Sequence, residues 1–254
     1  SDCARPAAFS PQNLSNPAWA FAALGVCNVP LLESIAAESS AKITDFNTQN
    51  LSNTAWSCAT LSVLHQPLRQ AIAKAARPRI SEASMQDLTN TAWSFATLHC
   101  CDRPLLAAIS AAAIRRSSEL EPQGLANTSW SWATLGLRNL PLIDALAAQA
   151  IPNLLDFRSQ ELANLPWSFA TRGIPNSPLL EAISSAALPK LHDWSVQDIT
   201  NTVWSIATLL WRDEPLLDAI SAAFSASWTA FGGQGISNLA WSYSALGVGD
   251  DPLC

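Results

Sequence analysis

Apolar and polar positions alternate at helical spacing along the whole chain. In residues 84–98, Leu88, Ala92, Phe95 and Ala96 recur at intervals of three and four, as in a helix with one buried stripe. Ser84 with Asp87 is a suitable N-terminal cap pair, and Ser10 with Asn13 and Ser195 with Asp198 repeat it. The spacing predicts a helix, here helix A, from Gln86 to about Leu98. A short turn follows, often with Gly (Gly25, Gly136, Gly173, Gly247) and then Asn or Asp (Asn28, Asp102, Asn139, Asn176, Asp213, Asp250). A proline then opens a second helix, B, where its missing N–H costs nothing. Leu32, Ile35 and Ala36, or Leu217, Ile220 and Ser221, supply the apolar stripe of helix B, and Glu33, Asp144, Glu181 and Asp218 are expected in its first turn. Pro78, Pro152 and Pro189 are expected to break helix B and leave a short bent connector. Pro17 and Pro166 fall inside helix A and predict a kink or a late start in those two copies.

This pattern repeats every 37 residues without insertion. Its tryptophan recurs as Trp19, Trp56, Trp93, Trp130, Trp167, Trp204 and Trp241. An asparagine precedes each by three residues (Asn16, Asn53, Asn90, Asn127, Asn164, Asn201, Asn238), and a glutamine by seven (Gln12 to Gln234). The helix B proline follows each by eleven, from Pro30 to Pro252. The expected fold is all-α, an α-solenoid (right-handed superhelix) of about seven two-helix repeats forming one array over residues 1–254. Its first and last units are incomplete, so either further chain or a partner is expected to cover the ends.

Apolar residues make up 49% of the chain, which excludes a disordered polypeptide. Ser, Thr and Asn interrupt every apolar run before the roughly 18 residues that a membrane span needs. Membrane contact is therefore expected only through partners. Six cysteines do not form a disulfide framework: Cys27 and Cys101 are two repeats apart, Cys100 and Cys101 are neighbours, Cys58 lies in helix A, and Cys3 and Cys254 lie at the ends. They read as reduced thiols in a non-oxidising compartment.

The unit, with its Pro-Leu-Leu, Gln-x-Leu-x-Asn-Thr-x-Trp-Ser-x-Ala-Thr and Leu-Gly segments, resembles the octotricopeptide repeat and its 37-residue relative, the heptatricopeptide repeat. The resemblance covers essentially the whole chain. It implies a paired-helix solenoid acting in an organelle, with the chloroplast favoured over the mitochondrion. It also implies RNA binding in transcript maturation, stability or translation, or membership of a large organellar assembly. No basic nuclease-like domain follows the repeats here.

The Asn and Trp columns (Asn53, Trp56, Asn90, Trp93, Asn127, Trp130, Asn164, Trp167, Asn201, Trp204) read as a structural lock. Each Trp is expected to pack between helices, and each Asn to join a buried hydrogen-bond ladder that sets the register. A column that never varies cannot discriminate ligands copy by copy. The variable residues after each Gln (Asn13, Asn50, Asp87, Gly124, Glu161, Asp198, Gly235) are partly acidic.

The net charge is −6, unfavourable for broad contact with phosphates. Basic residues concentrate at Arg69, Lys74, Arg77, Arg79, Arg103, Arg115 and Arg116, the candidate partner-contact patch. His65, His99 and His192 share no metal-ligand spacing with one another or with the cysteines, and there is no Gly-rich phosphate loop. No catalytic residue, metal or cofactor is expected. The expected function is a non-enzymatic scaffold that binds a macromolecular partner as a subunit of a large organellar complex. The alternative is an organellar RNA-binding protein.

Overall fold

The computed structural model describes residues 9–247, without the side chains of 226–228. Cys3, Asp250, Pro252 and Cys254 lie outside the described residues. Within them the chain is all helical, with thirteen α-helices and no strand. The A helices are α1 (Pro11–Ala23), α3 (Thr48–Thr60), α5 (Met85–Thr97), α7 (Pro122–Thr134), α9 (Ser159–Thr171), α11 (Val196–Thr208) and α13 (Gly233–Ala245). The B helices are α2 (Val29–Ala41), α4 (Gln66–Ala76), α6 (Arg103–Arg115), α8 (Leu140–Ala150), α10 (Ser177–Ala187) and α12 (Glu214–Ser227). Short 3-10 turns such as Arg77–Arg79, Ile151–Asp156 and Leu188–Asp193 form the connectors after helix B. Each is entered through the proline that ends the regular helix.

The chain divides into two compact units, residues 1–119 and 120–254. In the first, α3 packs between α1 and α5; in the second, α9 packs between α7 and α11, and α11 also packs on α13. Neighbouring A helices stacked in this way, each backed by its B helix, form an α-solenoid arrangement.

Helix A has four sides, and their residue types explain the packing. At about 100° per residue, the Leu or Ile five before each Trp and the residue two after it share one side. Leu51 and Cys58, Leu88 and Phe95, or Leu162 and Phe169 are buried there. One flank carries Ser52 and Ala55, or Ala163 and Pro166; the other carries Thr54 and Ser57, or Thr202 and Ser205. All are buried and most are small, which allows close helix approach. The Asn50 amide donates from one flank to the Ser15 hydroxyl of the preceding A helix at 3.0 Å.

Helix ends follow sequence chemistry closely. Ser84 and Ser195 form reciprocal capping boxes with Asp87 and Asp198. Asn28, Asp102, Asn139, Asn176 and Asp213 each accept the backbone N–H three residues on, and His65 Nδ1 does the same for Leu68. Helix A closes in a Schellman turn: in the first copy Val26 N–H donates to Phe21 C=O and Gly25 N–H to Ala22 C=O. That turn needs positive φ at one residue. Gly25, Gly136, Gly173 and Gly247 supply it, whereas Ser62, His99 and Leu210 adopt it at φ 56, 49 and 52.

Two expectations change. Of the kink or late start expected for helices α1 and α9, the late start is absent: each begins at the usual repeat position and runs 13 residues through Pro17 or Pro166. Pro166 is buried in the small-residue flank, where packing offsets its missing hydrogen bond. Glu33, Asp144, Glu181 and Asp218 are the fifth residues of their helices, beyond the first turn, because each helix B starts one residue before its proline.

Candidate functional site

The Asn and Trp columns do not form a fully buried lock. Trp56, Trp93, Trp130, Trp167 and Trp204 are partly exposed, as are Asn53, Asn90, Asn127, Asn164 and Asn201. Trp19 and Trp241 are 48% and 50% exposed. The fully buried positions are instead the Ala, Ser and Thr flanks. Gln, Asn, Trp and the Thr or Ala four residues after Trp lie at i, i+4, i+7 and i+11, which is one narrow sector of the helix. That sector is the most accessible side of the A helices: the Gln is exposed in all of them, the Asn and Trp are at least partly exposed, and only the hydroxyls of Thr97, Thr134, Thr171 and Thr208 are buried in it. The carbonyl of Asn53, Asn90, Asn127, Asn164, Asn201 or Asn238 accepts from the Ser hydroxyl four residues on, for example at 2.7 Å from Ser57. This spacing was present in the sequence; taking sameness as a sign of burial hid it.

The seven basic residues do not form one patch. Arg79 donates to the Phe46 carbonyl and, at 2.9 Å, to the Thr44 carbonyl. Arg116 donates to the Ala83 carbonyl at 2.9 Å and pairs with Glu119, whose hydrogen bond raises the Arg116 pKa. Both are structural clamps that tie one connector to the preceding one. Lys42 to Phe9 and Lys190 to Phe157 make the same bond at 3.0 Å. In every case the acceptor lies 33 residues back. Arg69 is partly buried with an unpartnered Nε, and its charge acts on Cys58 and Cys100.

Lys74, Arg77, Arg103 and Arg115 remain exposed, with no ion pair among the described residues. Lys74, Arg77 and Arg115 sit at the C-terminal ends of α4 and α6, which contact each other. Arg103 is at the opposite end of α6, roughly 18 Å away at the helical rise.

The chemistry of the thiols and imidazoles is structural. Burial pushes the Cys58 thiol up to about 11, against a lowering influence from Arg69. Burial also raises Cys100. Cys27 and Cys101 are exposed. His65 caps α4 and His99 occupies a positive-φ turn. No group of three or more His, Cys, Asp or Glu could hold a metal among the described residues. No helix among them is long and apolar enough to cross a membrane.

A second repeated column escaped the sequence reading. Asp45, Glu82, Glu119, Asp156 and Asp193 are spaced by 37 residues and are all exposed. Each lies four residues before the Gln that begins the open face of the next helix A. Residues 120–254 carry 12 Asp and Glu against 5 Lys and Arg, a net −7, whereas residues 1–119 carry 8 against 9, a net +1.

No curated protein matches the chain. The family model of the RNA-editing substrate-binding complex 6 protein matches residues 9–250, which span every Trp-centred helix and every connector described above. A helical-repeat chain matched over nearly its full length by that model belongs to the RNA-editing substrate-binding complex 6 protein family.

Proposed function

We propose that the protein is a non-enzymatic helical-repeat scaffold, a subunit of a large organellar complex that handles RNA. The observation that carries this reading is the open side of the A helices: within each unit, Gln, Asn and Trp recur at the same positions of successive helices. Such a surface grips an extended partner along its length and offers no acid–base pair or metal centre for chemistry. The family description, which names an RNA-editing complex, supports the assembly. The octotricopeptide-type character of the repeat belongs to the same proposal. That resemblance favours the chloroplast; the family description names no compartment, and fractionation of the source cells decides it.

The tagged protein purified from organelle extract is expected to bring down a stable set of proteins that survives ribonuclease. Recovery of the tagged chain alone, with and without ribonuclease, overturns the scaffold reading.

Direct RNA binding is the second reading, favoured by the exposed Lys74, Arg77 and Arg115. If those three cations neutralise phosphates, affinity for single-stranded RNA falls roughly 20-fold between about 50 and 200 mM salt. Absence of binding at the lower salt eliminates it.

A further inference from the structure

We propose that the open face of layer A in residues 120–254 docks an extended, lysine- or arginine-containing polypeptide segment. The inference rests on the scaffold reading and names the chemistry of the partner. Two observations and the general spacing of packed helices carry it.

The first is the identity of the repeated groups. Asn127, Asn164, Asn201 and Asn238, with Gln123, Gln160, Gln197 and Gln234, present amides that both donate and accept. An invariant amide cannot read a varied sequence, but it matches the one feature every polypeptide repeats, its backbone N–H and C=O. The second is charge. This unit has a net charge of −7, counting Asp250 and Asp251 outside the described residues; exposed Asp156 and Asp193, with Glu121 at the start of α7, line the edge from which its A helices begin, beside Arg158, which pairs with Glu161, and His192, which contacts Asp193. That field repels a phosphate backbone and attracts ammonium and guanidinium groups. The partly open Trp167, Trp204 and Trp241 add ring faces for those same cations.

The third is spacing. Helices packed through small residues lie about 8–10 Å apart. Three residues of polyproline II advance about 9.3 Å, so one partner side chain in three meets successive tryptophans. A basic residue at every third position is the matching pattern.

The test uses the full-length protein and a fluorescent peptide of about 12 residues, four turns of polyproline II, with Lys at every third position. Controls are the same composition with the lysines bunched, the Glu counterpart, and single-stranded RNA. The Lys-every-third peptide should bind, the bunched peptide more weakly, and the Glu peptide not at all. Trp167→Leu with Trp204→Leu should weaken binding about tenfold. Asp156→Asn with Asp193→Asn, both exposed, should weaken it about threefold at low salt and not at high salt. An unchanged melting curve for the Asp pair keeps the result interpretable if the Trp pair fails to fold. No binding of the Lys peptide at about 100 µM overturns the proposal, as does equal binding by the Asp pair or RNA binding that the Trp pair abolishes. If the peptide fails while native partners still co-purify, the scaffold reading stands and only the docking chemistry falls.

Discussion

Single residues carry several local conflicts. Leu210 holds a left-handed backbone at φ 52 with its side chain 76% exposed, so it bears strain and gains little packing. Leu210→Gly should stabilise the protein by about 1 kcal/mol, read as a higher melting temperature; a lower one would show that the leucine packs after all. Cys58 gives a pH signature. Its thiol rises from the ordinary 9.0 to about 11, so the folded chain holds that proton more tightly than the unfolded chain does. The resulting contribution is intact below about pH 9 and is lost as pH climbs through about 11. Cys58→Ala should therefore show a shallower loss of stability across that window than the parent. Identical slopes would contradict the burial. The positive-φ position was legible as Gly in four copies, whereas no local residue type marked Ser62, His99 and Leu210 for the same conformation.

At the level of elements, helix A is held by its flanks, and the connectors at Lys42, Arg79, Arg116 and Lys190 by a cation. Ala163 is fully buried in a small-residue flank of α9, which packs between α7 and α11, so Ala163→Leu should cost about 1–3 kcal/mol by overpacking. Chemical denaturation measures it, and a neutral result would mean the A helices are not in close contact. Arg79 bonds two carbonyls of the preceding connector. Arg79→Ala should cost about 1–2 kcal/mol, with Arg79→Lys intermediate because Lys42 and Lys190 serve the same role. Equal stability of all three would refute the clamp. Helix boundaries, caps and connector prolines were readable beforehand, since they depend on neighbours in the chain. The clamps were not: they join residues 33 apart, and two of their cations, Arg79 and Arg116, read as part of a surface patch.

For the whole molecule, repeat construction predicts modular stability. Deleting residues 159–195, one complete repeat, rejoins equivalent positions and should leave a folded protein with about one seventh less helix by circular dichroism. Loss of cooperative unfolding in that variant would argue against modular repeats.

The sequence by itself determined the repeat length, the pairing of helices, the turn chemistry and the sites where helices stop. Those follow from periodicity, caps and prolines, which act within a few residues. Tertiary structure decided which side of helix A is buried. Small Ala, Ser and Thr flanks let neighbouring helices close on one another, which leaves Gln, Asn and Trp as the open side. It also decided which cations are free, since Arg79 and Arg116 are spent on carbonyls of the previous connector while Lys74, Arg77 and Arg115 are not.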